Sequence, residues 1–397
     1  MRELDFDGLR SGVGDAVRQP DFGTVRQRAG RVRRRRVVSS AAAFLVTVLT
    51  ATGIGYAVQG APHDRGLPGT LPAASQEPPA WPRTIAVTGT GTEMYGVLQP
   101  CRDCGTELHV SSDGGRSWQR RATPPAEAGA GIPRTAIVVA LAPGLVAWRE
   151  LRTVTIAEAE AGAPGDPPWI TRDGGRTWSR PVIDTRPADR IPDGGRPVDC
   201  AMMRLLTCTV GAIDPVTGRF EPLAAQPTGI TAGAWWSHGV NAPPGGHLWV
   251  PGLDPGTGMP AVAASTDAGR TWRTTVFTAA PQSTPWVAAG PGGTAYALIA
   301  GADDRVEAHH TADGGRTWRA GDTLTGAPGL PGFVTADGAH VTGLLAARGT
   351  GRYAPVRLPG LPGDPAPVQA GDPYLMNAAT GPYLSGDGRT WHPVHLR

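Results

Sequence analysis

The chain has 397 residues, of which 56 are glycine and 40 are proline, a composition that favours short strands and tight turns. Residues 1–36 carry ten arginines and five acids, a net charge of +5, which leaves about −2 for the rest of a chain whose total is +3. The remainder has no basic stripe, so nucleic-acid binding is not expected.

The N-terminal region predicts a membrane anchor. After the arginine run at residues 31–36, residues 37–58 form 22 residues without a charge. A helix of about 20 apolar residues crosses a bilayer, and an arginine cluster marks the cytoplasmic side. We expect a cytoplasmic arginine-rich tail (1–36), one transmembrane helix (37–58) and a Pro/Gly/Ala-rich linker (59–82), with the C-terminal domain outside a cell membrane. Secretion after signal-peptide cleavage is the alternative, although the n-region is long and no clear cleavage site follows.

Five similar segments, here called the aspartate loops, recur in the remaining chain at residues 111–118, 171–178, 265–272, 311–318 and 385–391. The first reads SSDGGRSW, and the fifth, SGDGRTW, is one residue shorter. Each lies between short apolar or β-branched runs, as the turn of a hairpin does. The predicted structural residues are Ser111, Asp113, Gly115, Trp118, Thr171, Asp173, Gly175, Trp178, Ser265, Asp267, Gly269, Trp272, Thr311, Asp313, Gly315, Trp318, Ser385, Asp387 and Trp391.

The residue types explain the turn. An aspartate accepts hydrogen bonds from backbone N–H groups that follow it, and glycine adopts positive φ without strain. The tryptophan is expected to bury its ring beneath the hairpin, which contributes roughly 3 kcal/mol per site. A structural role is therefore predicted for these residues in preference to a catalytic one.

The pattern S/T-x-D-x-G-x-T/S-W resembles the Asp-box, or BNR, repeat of sialidases, sortilin-type receptors and photosystem II assembly-factor propellers. The resemblance implies an all-β fold, a β-propeller over residues 83–397. In those families the box joins the two outer strands of a blade, on the side away from the ligand. The spacing of the loops, with box-free hairpins near residues 214–218 and 348–351, fits seven blades best, and six is the alternative.

Four cysteines are expected to form two local disulfides, because the domain is predicted to lie outside the membrane. The pairs are Cys101 with Cys104, and Cys200 with Cys208. A redox role for Cys101 and Cys104, and a zinc site that joins the two pairs, are the alternatives.

Other polar or aromatic candidates give weaker signals. His309 and His310 would point to opposite faces of a strand and could not share a metal ion. Asp193, Asp303 and Asp304 are typical of turns, and one ring of Trp235-Trp236 could face the central channel.

A sialidase would use three arginines, an Asp acid/base and a Tyr nucleophile assisted by Glu. The R-I-P motif at Arg190 follows the second aspartate loop, whereas in sialidases it precedes the first. No catalytic residue, cofactor-binding residue or metal ligand is therefore assigned, and no cofactor is expected.

The sequence predicts a membrane-anchored extracytoplasmic β-propeller that acts as a non-catalytic binding module. Its protein or carbohydrate ligand would lie on the face opposite the aspartate loops. An exo-sialidase-like glycoside hydrolase is the first alternative, and a transmembrane sensor or regulator that uses its cytoplasmic tail is the second.

Overall fold

The computed structural model describes residues 81–102, 104–125, 136–150, 168–184, 186–193, 195–198, 209–232, 246–279, 283–301, 305–325, 331–361, 368–369, 371, 373–378 and 380–396. The chain divides into a unit over residues 1–67 and a unit over residues 68–397, and the described residues all belong to the second. The predicted tail, membrane span and most of the linker thus lie outside them. Within the described part, no helix is long and apolar enough to span a bilayer.

Regular structure in the described residues consists almost entirely of short strands. Their bounds are β1 Arg83–Thr90, β2 Glu93–Gln99, β3 Glu107–Ser111, β4 Gln119–Arg121, β5 Ala136–Ala142, β6 Leu145–Glu150, β7 Trp169–Thr171, β8 Gly211–Ile213, β9 Phe220–Pro222, β10 Thr231–Ala232, β11 Leu248–Leu253, β12 Pro260–Ser265, β13 Arg273–Val276, β14 Trp286–Ala289, β15 Ala295–Ala300, β16 Arg305–Thr311, β17 Arg319–Thr325, β18 Phe333–Val334, β19 Ala339–Thr342, β20 Leu345–Arg348, β21 Ala354–Pro355, β22 Val368–Gln369, β23 Tyr374–Ala378, β24 Gly381–Ser385 and β25 His392–Pro393. A 3₁₀ turn spans Pro291–Gly293.

Within the described residues the strands form seven antiparallel sheets, each from strands consecutive in the chain. Sheets I (β1–β4), IV (β10–β13), V (β14–β17), VI (β18–β21) and VII (β22–β25) have four strands. Sheet II (β5–β7) has three and sheet III (β8–β9) has two. In sheet I, three strands precede the first aspartate loop and one follows it. In sheet V the last strand begins at Arg319, directly after the aspartate loop that ends at Trp318.

Sheet VI contains a tight turn between its two central strands. A turn at Gly343 and Leu344 separates β19 from β20. Gly343 has φ 53°, a conformation that glycine adopts without strain and that ends the strand.

Sheet III is extended by segments outside its two strands. Ile183 and Ala188 form parallel bridges with Phe220 and Leu223, and Val198 forms an antiparallel bridge with Gly211. The chain that leaves the second aspartate loop thus runs along the outer edge of the next sheet.

A hydrophobic cluster joins each sheet to the next, and another joins the last to the first. At the I/II boundary, for example, Tyr95 and Leu108 pack with Val146 and Trp148. Equivalent clusters follow at the II/III, III/IV, IV/V, V/VI and VI/VII boundaries. Sheet VII then packs on sheet I through Leu375 and Leu396 against Val87 and Met94. Consecutive antiparallel sheets that pack in sequence and close on themselves define a β-propeller.

Candidate functional site

The first aspartate loop is held by a dense set of short-range hydrogen bonds. The Ser111 hydroxyl donates to Asp113 Oδ1 at 2.7 Å and accepts from the backbone N–H of Gly115 at 2.8 Å. Asp113 Oδ1 also accepts from the N–H groups of Arg116 and Ser117, and Oδ2 accepts from the Ser117 hydroxyl at 2.6 Å. Both carboxylate oxygens are therefore occupied within the turn.

The same scaffold recurs in the other loops. The first hydroxyl donates to the aspartate at 2.8 Å from Thr171, Ser265 and Thr311, and at 3.0 Å from Ser385. Thr177, Thr271 and Thr317 donate to the second carboxylate oxygen at 2.6–2.7 Å. The shorter fifth loop keeps only the bonds to Oδ1, from the N–H groups of Arg389 and Thr390.

These bonds determine the ionisation of the aspartates. The Ser117 hydroxyl, and then its N–H, hold the pKa of Asp113 well below its usual range. At Asp173 burial acts in the opposite direction, but the bonds from Thr177 and Thr171 outweigh it and lower the pKa to about 2. A carboxylate that is ionised and fully hydrogen-bonded at neutral pH is a poor general acid. Asp113 and Asp173 are therefore poorly suited to act as general acids.

Glycine is required in the loops by conformation and by space. Gly175 has φ 85°, and a Cβ there would lie 2.5 Å from Leu108 Cδ2 of sheet I. Gly269 and Gly315 have φ 98° and 83°. In the third loop, the residue before Gly269 is Ala268. At φ 58° it is the only residue other than glycine with positive φ among the described residues.

The loop tryptophans lie between sheets. Trp178 belongs to the I/II cluster and its Nε1 donates to Ala122 O at 2.8 Å. Trp272 donates in the same way to Ala225 O, and Trp318 packs edge-on against Trp249 at 5.7 Å. Only Trp391 is fully buried, with 1% of its surface exposed. Trp118, Trp178, Trp272 and Trp318 are half-buried, so the expectation of a buried ring at every loop was wrong for these four.

Backbone contacts place the aspartate loops at one end of the sheets. Gly114 N donates to Thr92 O, and Gly314 N to Gly293 O, so each of these loops touches the turn between the first two strands of its own sheet. In an up-and-down sheet, the connection between the second and third strands then lies at the opposite end. We call the end that carries the aspartate loops the loop face.

A disulfide closes one connection at the opposite end. Cys101 and Cys104 are bonded, with Cα atoms 5.0 Å apart, in the segment that joins β2 to β3. No described cysteine is free. The predicted partners Cys200 and Cys208 lie outside the described residues.

A Tyr–His cluster fills the V/VI boundary, where sheet VI carries no aspartate loop. His340 is 0% exposed, its Nδ1 lies 2.5 Å from the Tyr353 hydroxyl and its Nε2 lies 3.0 Å from Pro331 O. The carbonyl can only accept, so Nε2 carries the proton and Tyr353 donates to Nδ1. Tyr296 stacks on His340 at 4.9 Å, and its hydroxyl accepts from Gly349 N at 2.7 Å.

A tyrosine hydroxyl hydrogen-bonded to a histidine resembles a nucleophile activated by a general base, but the pKa values of Tyr353 and His340 oppose that role. Burial lowers the pKa of His340 to about 4, which makes it a weak base. Burial also raises the pKa of Tyr353 well above its usual range. The Tyr296 hydroxyl instead joins sheet V to Gly338 O and Gly349 N of sheet VI, and the Tyr353 hydroxyl bonds His340 within sheet VI.

The pair formed by Tyr95 and Glu93 also does not suit hydrolysis. Tyr95 is 0% exposed, and burial, followed by the nearby Glu93 carboxylate, raises its pKa far above the usual range. Glu93 accepts from Gly144 N at 2.6 Å. Arg190 of the R-I-P motif is exposed and pairs with Asp193 at 3.0 Å, beside the third aspartate loop. Tyr95, Glu93 and Arg190 therefore give no support for a sialidase-type active site.

The remaining candidates are structural or fall outside the described residues. His309 packs on Phe277, which follows the last strand of sheet IV, whereas His310 packs on Tyr296 of its own sheet and lies near Gly349 of sheet VI, so the two rings point to opposite faces of the strand as predicted. No described group of three His, Cys, Asp or Glu residues could hold a metal ion. Trp235, Trp236, Asp303 and Asp304 lie outside the described part.

Sequence reasoning missed Arg196. It is 8% exposed, its backbone N–H donates to Leu141 O of sheet II, and its Nη2 donates to Gly89 O of sheet I at 3.2 Å. Burial lowers the pKa of Arg196 to about 10, so it remains a cation at neutral pH. No local pattern marks this residue, because its contacts come from distant segments.

Neither a family model nor a curated protein sequence matches this chain. Among solved structures it is similar to YCF48 bound to a D1 peptide, at 17% identity over 59% of this chain and 64% of that one (TM-score 0.30). It is also similar to the GH74 xyloglucanase from Xanthomonas campestris, at 16% identity. That match covers 78% of this chain and 47% of the xyloglucanase, with a TM-score of 0.35. A third similar structure is the six-bladed β-propeller lectin from Aleuria aurantia, with 10% sequence identity. The match covers 79% of this chain and 96% of the lectin, with a TM-score of 0.32. The chain spans less than two thirds of the length of the first two.

Proposed function

We propose that the propeller is a non-catalytic binding module whose ligand, a protein or a carbohydrate, lies on the face opposite the aspartate loops. The observation that carries this proposal is the placement of the tyrosines. Tyr95, Tyr296, Tyr374 and Tyr383 are buried, and Tyr353 is half-buried and bonded to His340. None of these five described hydroxyls is exposed to accept a substrate, as a nucleophile of the sialidase type would have to be.

We also assign the aspartate loops to the Asp-box type and count seven blades. The recurring hydrogen bonds of Asp113, Asp173, Asp267 and Asp313 support the first assignment. The seven sheets of the described residues and the clusters between them support the second. In this arrangement residues 214–218 and 349–353 occupy the positions of the two missing boxes.

The domain is proposed to be held at a membrane by residues 37–58, with residues 1–36 in the cytoplasm. The uncharged 22-residue stretch and the arginine run before it support this placement. The tagged full chain should remain with membranes after an alkaline carbonate wash, and external protease should remove the C-terminal domain in intact cells. Release by the wash would contradict the anchor.

The binding proposal is tested with the full chain in detergent on arrays of glycans and peptides, with a fluorogenic sialoside assayed in parallel. We expect saturable binding to at least one array member and no release of fluorophore. A bulky maleimide polymer on Leu344→Cys, in the turn between β19 and β20, should block binding, whereas the same polymer on Ser112→Cys, on the loop face, should not. Sialoside cleavage, or blockage from Ser112 alone, would overturn the proposal.

A further inference from the structure

The Cys101–Cys104 disulfide lies between β2 and β3, at the end of sheet I opposite its aspartate loop. Two residues separate the cysteines, a spacing at which thiolates are often reactive. Both cysteines are half-buried, and their neighbours Arg102 and Gly105 are exposed. A Cβ on Gly105 would meet no described atom within 4 Å apart from its chain neighbours, so open space adjoins Cys104. An external thiolate can therefore reach the bond.

Hydrogen bonds close the same turn without the sulfur atoms. Cys104 N donates to Cys101 O at 3.3 Å, and the Gln99 side-chain amide donates to Arg102 O at 3.1 Å. Gln99 is 7% exposed, so the second bond is anchored at a buried residue. Beyond the turn, β2 and β3 pair at five positions. The two strands are thus held together by bonds that reduction of the disulfide would leave intact.

Two other sheets make the equivalent connection without cysteine. In sheet V, Gly301 N donates to Arg305 O at 2.8 Å, and in sheet VI a turn at Gly343 and Leu344 joins β19 to β20. The disulfide in sheet I also closes a very short loop, with a sequence separation of 3. A cross-link of this length restricts the unfolded chain less than a long-range cross-link does. The fold therefore gains little from the bond, and its reduction should leave the domain folded.

We propose that Cys101 and Cys104 form a thiol–disulfide exchange site whose substrate is a pair of thiols on a partner protein. One substrate thiolate attacks a sulfur of the disulfide, which forms a mixed disulfide and releases the other cysteine as a thiolate. The second substrate thiolate attacks the substrate sulfur of the mixed disulfide and releases the remaining cysteine. The substrate gains an S–S bond, and its two electrons and two thiol protons end on Cys101 and Cys104.

The test uses the oxidised full chain in detergent, without oxygen, and a synthetic peptide with two reduced cysteines. Mass spectrometry after alkylation should show one oxidised peptide per chain and two new thiols, at Cys101 and Cys104. The reduced chain should keep the hydrogen-exchange protection of β2 and β3, because hydrogen bonds hold the turn. The variant with both Cys101→Ser and Cys104→Ser should lose the oxidation of the peptide.

The double variant retains Cys200 and Cys208, so it also reports any contribution from those two residues. Peptide oxidation that persists in the double variant would overturn the inference. A bond that the peptide reduces only in denaturant would overturn it as well, because the disulfide would then be purely structural. If the double variant does not fold, the labelling of Cys101 and Cys104 in the intact chain decides. The inference does not depend on the binding proposal, since exchange needs only a transient encounter between sulfur atoms.

Discussion

The side-chain amide of Asn377 in sheet VII brackets the backbone of Val87 in sheet I. Val87 N donates to Asn377 Oδ1 at 2.7 Å, and Asn377 Nδ2 donates to Val87 O at 3.2 Å. Gln369 adds two bonds, one from the Thr88 hydroxyl and one to Gly89 O. The first and last sheets of the ring are thus joined by side-chain amides.

Replacing Asn377 by Leu should loosen this seam, because it leaves both polar groups of Val87 unpaired, at a cost of about 1–3 kcal/mol. In this variant, the exchange of backbone amide hydrogens should become faster in β1 than in the other strands. The matched control is Gln226→Leu, since Gln226 makes the same two bonds to Val210 within the ring. Unchanged exchange in β1 would show that the seam does not depend on Asn377.

Trp391→Ala should lower the free energy of unfolding by about 3–5 kcal/mol, as a large-to-small change at a buried site does. Trp118→Ala should have a smaller effect, because that ring is half-buried. Chemical denaturation of the two variants measures the difference. Equal losses would contradict the burial of the two rings.

Gly175→Ala should be more destabilising than Gly114→Ala. Both glycines have positive φ, which an L residue adopts at about 1–2 kcal/mol, but only at Gly175 would the new methyl meet Leu108. At Gly114 nothing lies within 4 Å of a Cβ. Thermal unfolding midpoints check the order, and a reversed order would indicate that the I/II boundary is packed differently.

The stability of the domain should fall as the pH drops from about 6.5 to about 4. Burial depresses the pKa of His340 to about 4, so the unfolded chain takes up the proton first and the folded state loses about 3 kcal/mol across this range. His309 and His310, whose pKa values burial also lowers, act in the same direction.

Denaturant titrations at several pH values measure this slope. The His340→Gln variant should be less stable at pH 7 yet show a shallower loss below it. If the variant loses stability with pH as steeply as the intact chain, proton uptake by His340 on unfolding does not cause the loss.

Features that depend on neighbouring residues could be predicted from the sequence, and long-range ones could not. The bonds of Asp113 reach no further than Ser111 and Ser117, so the loop pattern encodes them directly. The exposure of Trp118, and the contacts of Arg196 with sheets I and II, depend on how separate sheets pack. No local pattern specifies that packing.

We propose that the buried tyrosines are structural and that their hydroxyls do not react; Tyr353 bonds His340 within sheet VI, and Tyr296 of sheet V bonds Gly349 of sheet VI. The most direct measurement compares fluorophore release from a sialoside, and the unfolding midpoint, for the intact chain, Tyr95→Phe and Tyr353→Phe. We predict no release above the blank for all three and a lower midpoint for Tyr353→Phe, which loses its bond to His340. Release by the intact chain that either substitution abolishes, with the midpoint unchanged, would contradict the claim.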